Sequence, residues 1–294
     1  MAKVVSTEQI DNDKVPYYYD KVLQKVSVNI RNKYNSGDYL ILGQEGMYIS
    51  LAMFDKFKIQ FYSVISLTYR CTQNPLNQFE YLDIASIYSI TRTCYETFLT
   101  YQYIYMQPEE IGNHKINEFK LSKGSYFESL QLKILLYKFE GYKQSISGFS
   151  AIPEETEKNK KRSEECRVKI LDNDIFNNFN DAQKKDILNA WKPSWNRIAD
   201  KTELSTWNSK NMYNRLSQHS HNAYTSLILL DKHYQNLDEF NRESMLIQLY
   251  EFTAILVNDY VKLFHIDISI FAEDEIALLN EFYYLAQKNP GDTI

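Results

Sequence analysis

The stretch Tyr213-Asn214-Arg215-Leu216-Ser217-Gln218-His219-Ser220-His221 places an arginine beside two of the chain's five histidines. An imidazole ionises near neutral pH and can take or give a proton, and a guanidinium offers a planar donor fork to a phosphate. If the segment is helical, each residue advances about 100° around the axis. Leu216, Ala223, Tyr224, Leu227, Leu230 and Tyr234 then form one apolar arc, with Arg215, His219, Asn222 and Ser226 on the other side. Arg215 and His219 stand at i and i+4, where side chains meet. Ser217 and His221 form a second such pair on the flank of the arc. The two histidines point apart, so either one is the partner of Arg215. The plainer reading is a solvated Arg–His pair and a histidine at a core edge. His-x-His brings both rings together on a strand rather than a helix, and no third ligand lies nearby, so neither a metal nor a cofactor is expected.

A second polar group sits in an apolar setting. Arg92 and Glu96 are i and i+4 on a segment rich in Leu, Ile, Tyr and Phe, in one narrow stripe with Ser86, Ser89, Thr93, Thr97 and Thr100. Ionised groups taken out of water need partners. A structural Arg92–Glu96 ion pair satisfies that demand. Alternatively the stripe faces Ser217 and His221. Glu96 would then orient an imidazole while Arg92 or Arg215 binds an anion.

Hydrophobic periodicity supplies the elements that would hold these groups. It predicts helices over 16–35, 45–70, 77–106, 122–145 and 154–172, a short one capped by Asn180-Asp181 and running to Trp191, and then 209–234, 237–264 and 273–287. The 77–106 helix is apolar around most of its circumference, as a central helix is. Residues 154–172 alternate charges of both signs, including Lys158-Asn159-Lys160-Lys161-Arg162, which suits a solvated face. The expected architecture is all-α, a multi-helix bundle of long antiparallel helices. Residues 1–14 are expected to form a flexible tail and 15–294 a single domain, with an irregular, charged section at about 108–208.

Composition narrows the function classes. Eight glycines and six prolines in 294 residues are too few for the turns of an all-β fold. The 24 tyrosines and 16 phenylalanines suit amphipathic packing more readily than base stacking. A net charge of −5 argues against nonspecific coating of nucleic acid, leaving room for one local basic site. No segment approaches the ~20 uninterrupted apolar residues of a membrane span. Met1-Ala2-Lys3-Val4-Val5-Ser6 lacks the apolar run of a secretory leader. Cys71, Cys94 and Cys166 are widely separated and read as reduced thiols. A cytoplasmic protein is expected, with no membrane partner.

Two resemblances bear on function. Arg92-x-x-x-Glu96, together with Trp191 through Trp195 and Tyr213-x-x-Leu216-Ser217-x-x-x-His221, resembles paired blocks in a family of uncharacterised bacterial helical proteins. More broadly, Arg215 and His221 enclose five residues, which resembles the signature of the HEPN superfamily of helical ribonucleases and nucleotide-binding proteins. Leu216 stands where those nucleases usually carry a polar residue. The resemblance implies a HEPN-like bundle that dimerises and brings two copies of the motif together. It also implies metal-independent cleavage of RNA, with His221, Arg215 and His219 as catalytic candidates and Arg92, Glu96, Ser217 and Tyr213 binding the anion or supporting it. The implied role is in stress response or phage defence. The alternative is a noncatalytic helical module that binds a protein partner or a nucleotide through an Arg92/Glu96/His221 pocket.

Overall fold

The structure is a computed structural model that describes residues 14–69, 72–73, 80–81, 84–117, 123–148, 150–218, 239–289 and 292. Helices account for most of these residues, and the protein is all-α. In chain order they are α1 (Val15–Ser36), α2 (Gly43–Tyr69), α3 (Ile84–Tyr101), α4 (Lys123–Gly148), α5 (Pro153–Leu171), α6 (Asp174–Asn177), α7 (Asp181–Asn189), α8 (Trp195–Ala199), α9 (Thr206–Gln218), α10 (Glu239–Leu263) and α11 (Glu273–Ala286). None of the helices among the described residues is long and apolar enough to cross a membrane.

Local chemistry sets several boundaries close to those the sequence predicts. Pro16 occupies the first turn of α1, where its missing N–H costs nothing, and Gly37 ends the helix with φ 80°. Asn180 caps α7 reciprocally with Gln183: each side chain accepts a hydrogen bond from the other residue's backbone N–H. The predicted 77–106 helix differs at both ends. Glu80–Tyr81 pairs antiparallel with Thr72–Gln73, so α3 begins only at Ile84. After Tyr101 the chain widens into a π-helix over Gln102–Met106.

The chain divides into two compact units. The first comprises Met1–Asp38, Ser50–Thr100 and Trp195–Ile294. Its core is aromatic. Tyr19 of α1 stacks on Tyr250 of α10 with ring centroids 5.0 Å apart, and Phe282 of α11 meets Tyr250 edge-on at 5.2 Å. The Tyr19 hydroxyl donates to the Tyr250 carbonyl at 2.8 Å. This is how tyrosine fills a core without orphaning its oxygen. Tyr260 repeats the arrangement, donating to the Ser50 carbonyl at 2.8 Å.

The second unit comprises Tyr39–Ile49 and Tyr101–Ser194. It includes residues 108–194 of the charged section, and its core is formed by Ile111, Ile116, Leu132, Leu136, Ile170, Ile175, Phe176, Phe179 and Ile187. α4 packs along α5. A two-residue hairpin, Glu110–Ile111 with His114–Lys115, turns through Gly112 at φ 55°. A Cβ there would also lie 3.1 Å from the Ala190 carbonyl oxygen, so both the backbone angle and the tight contact favour glycine. Fully buried Lys133 of α4 reaches the π-helix region. Its ammonium donates to the carbonyls of Tyr103, at 2.6 Å, and of Gln107, and lies 4.2 Å from the Tyr103 ring centroid.

Candidate functional site

α9 carries the groups the sequence singles out and presents them on two flanks. Met212 and Leu216 are fully buried, and Asn208 and Ser209 are buried beside them. At about 100° per residue, Arg215 falls roughly 60° to one side of Met212 and Tyr213 roughly 100° to the other. The expectation that Arg215 stands opposite the core fails on the angles themselves, since it lies only about 100° from Leu216 at the centre of the apolar arc. Counting Asn208, Ser209 and Met212 rotates the buried face towards it, and the arginine is half-buried.

On the Tyr213 flank the polar stripe of α3 is closed by a cation. Arg92 Nε donates to Glu96 Oε1 at 3.0 Å, and Arg92 Nη2 donates to the Tyr213 hydroxyl at 2.8 Å. The guanidinium carbon also lies 5.1 Å from the Tyr213 ring centroid. Trp195 of α8 supports that ring from 6.3 Å. The stripe's threonines turn back on their own helix: Thr100 donates to the Glu96 carbonyl, and Thr97 to the Thr93 carbonyl and to Gln60 Oε1. Arg92 and Glu96 thus form the ion pair that their spacing allows, and Tyr213 joins them from α9. Ser217 donates to the Tyr213 carbonyl at 2.7 Å.

The Arg215 flank is built differently. Arg215 Nη2 donates to Ser244 Oγ at 2.9 Å. With its amide oxygen turned to the guanidinium, Gln248 accepts from Nη1 at 2.6 Å and from Nη2 at 3.2 Å. The guanidinium carbon lies 5.5 Å from the ring of Trp207, which is 37% exposed. Among the described residues no carboxylate lies within ion-pairing distance of Arg215. Its hydrogen-bond partners there are neutral.

One turn beyond Gln248 on α10, Glu251 is buried and accepts from Asn208 Nδ2 at 3.2 Å. Asn208 also donates to the Ala286 carbonyl at the end of α11, at 3.4 Å. Burial pushes the Glu251 carboxyl up to about 7, against the opposing pull of the Arg215 guanidinium and the Asn208 hydrogen bond. The same guanidinium opposes the burial that raises the Tyr88 phenol on α3. Ser244, Gln248 and Glu251 stand at i, i+4 and i+7, which is one face of a helix otherwise largely apolar. They meet Arg215 and Asn208 of α9 in reverse sequence order, 244 and 248 with 215, and 251 with 208.

None of Ser244, Gln248, Glu251 or Asn208 is among the candidates drawn from the sequence. The signal that could have found them is the repeat of polar residues every three or four positions through the apolar run 244–257. His219 and His221 lie outside the described residues, and so does the choice between them as partner of Arg215. Among the described residues no group of three or more His, Cys, Asp or Glu side chains could hold a metal ion. Cys94 and Cys166 are buried free thiols.

The chain matches no family model, no curated protein and no solved structure. What it can do must be argued from this geometry.

Proposed function

We propose that this chain is a metal-independent endoribonuclease of HEPN-like type. In this reading it works as a homodimer in the cytoplasm, in stress response or phage defence. Arg215 contacts the scissile phosphate, and His221, with His219 beside it in sequence, moves the proton. One observation carries the reading: a half-buried arginine held in place by a serine and an amide, with no ion-paired carboxylate among the described residues. Such a guanidinium keeps its charge for an incoming anion, and its orientation is set before the anion arrives.

The chemistry is balanced by these groups alone. A base takes the proton of a ribose 2′-hydroxyl, and the oxygen attacks the adjacent phosphorus. The bond to the 5′-oxygen breaks, and that oxygen leaves with a proton from an acid. The products are a 2′,3′-cyclic phosphate and a 5′-hydroxyl. Arg215 stabilises the charge that gathers on the non-bridging oxygens.

Trp207 favours a second reading, a noncatalytic module that binds a nucleotide or a protein partner. An exposed indole beside a guanidinium can stack a base and hold its phosphate without cutting anything. The Arg92–Glu96–Tyr213 cluster then buttresses α9 in either case.

The test is to incubate the protein with total RNA in EDTA and to compare His221→Ala and Arg215→Met. The nuclease reading expects fragments with cyclic phosphate ends, and a loss of about a hundredfold or more in each folded variant. Intact RNA with wild-type protein, accompanied by Arg215-dependent nucleotide binding, would leave only the second reading.

A further inference from the structure

We infer that Glu251 sets how much positive charge Arg215 offers to a bound phosphate, and is therefore a positioning residue for anion recognition at that site. The inference rests on the reading of Arg215 as a phosphate contact. It starts from the shared face of α10. Ser244 and Gln248 hold the guanidinium, and Glu251 lies three residues past Gln248, about 4.5 Å further along the helix. Asn208, two turns before Arg215 on α9, fixes the carboxyl from the opposite side. The carboxyl is thus close enough to feel the guanidinium while making no ion pair with it.

Among the described residues, Arg215 is the charge that acts on Glu251. From α9 come the Asn208 amide and the Arg215 guanidinium. From α1 comes Tyr19, a fully buried phenol pushed well above its ordinary range by burial, with Tyr250, Glu251 and Glu281 adding to the rise. α11 contributes the Ala286 carbonyl, which shares the Asn208 amide. Burial brings the Glu251 titration near neutrality, so both charge states are reached within a physiological range.

An ionised Glu251 offsets part of the guanidinium's field, and a protonated one does not. A phosphate at Arg215 must in turn make Glu251 harder to ionise, because the coupling between the two sites is reciprocal. Anion binding then tightens as pH falls through neutrality. An imidazole ordinarily ionises in the same range, and the chain carries five. The pH profile of wild type therefore does not decide the matter alone, and its change on substitution at residue 251 does.

The test uses the full chain in two measurements. In carbon-13 carboxyl NMR, Arg215→Met should move the Glu251 midpoint upward, because a cation that favoured ionisation is gone. A labelled 2′-O-methyl RNA dodecamer, which lacks the attacking hydroxyl, followed by anisotropy at low salt, should bind wild type about tenfold more tightly at pH 6 than at pH 8. Glu251→Gln should bind more tightly than wild type at pH 8 and about equally at pH 6, so that its profile is flatter. A midpoint unmoved by Arg215→Met overturns the inference, as does a Glu251→Gln profile that parallels wild type. RNA binding that survives Arg215→Met while the midpoint moves overturns the phosphate reading of Arg215 and leaves the charge coupling standing. Should Glu251→Gln fail to fold, the carboxyl midpoint decides.

Discussion

α9 holds two arginine clusters that differ in one respect. On its Tyr213 flank, Arg92 spends its donors on a carboxylate and a phenol, and the cation is neutralised where it lies. On the other flank, Arg215 bonds to a hydroxyl and an amide, and among the described residues it forms no ion pair; the Glu251 carboxyl that it influences is raised by burial to about 7. The first arrangement is what a buried ion needs to be tolerated: a partner of opposite charge and full hydrogen bonding. The second leaves charge unspent. Similar side chains, one helix apart, thus divide into a buttress and a candidate site.

Substitutions can break this contrast or sharpen it. The largest effect is expected from Arg215→Met, which should lower RNA cleavage in EDTA by about a hundredfold to a thousandfold in protein that still folds, with a stability loss of about 1–2 kcal/mol for the partners it strands. A variant that unfolds readily but still cuts RNA would put Arg215 in the same structural class as Arg92. Next comes the stability of Glu251→Gln. The Glu251 carboxyl titrates higher in the folded chain, about 7, than its ordinary value of 4.5. A raised acid favours the fold while protonated. Stability is therefore full at low pH and falls between roughly pH 4.5 and pH 7 as the unfolded chain, but not the folded one, ionises. Glu251→Gln should remove that slope, leaving the protein more stable than wild type at pH 8 by up to about 3 kcal/mol, read from denaturant midpoints. Equal stability at pH 8 would mean that the carboxyl is better solvated than its burial implies.

Arg92→Met should differ from Arg215→Met in sparing cleavage. It strands Glu96 and the Tyr213 hydroxyl, both only partly buried, so a loss of about 1–2 kcal/mol is expected, with RNA cleavage preserved to within a few-fold. Tyr213→Phe is the gentlest probe. It removes one hydrogen bond to a cation and keeps the ring, for about 1 kcal/mol. If Tyr213→Phe lowered cleavage as much as Arg215→Met, both flanks would belong to one site.

Much of this was legible in the sequence because the cues are local. Helical periodicity placed most helices to within a few residues, Pro16 and Gly37 bracket α1, and Asn180 with Gln183 announces α7. Arg92 and Glu96 pair because four residues in a helix bring two side chains together. The Arg92–Tyr213 bond joins residues 121 apart, and no spacing rule reaches that far. The face of Ser244, Gln248 and Glu251 was overlooked for another reason. Three polar residues scattered through an apolar run look like interruptions until their common orientation is computed. Glu80–Tyr81 went astray because a two-residue pairing leaves almost no periodic trace, and an apolar flank invites a longer helix.

The lysine inside the second unit ties together parts of the chain that are far apart in sequence. The carbonyls at residues 103 and 107 receive one ammonium from 30 and 26 residues downstream. A buried cation is tolerated only where such acceptors surround it. The π-helix, the residue that follows it and the middle of α4 are therefore joined through a single side chain, and a neutral replacement of the same length would loosen all three at once.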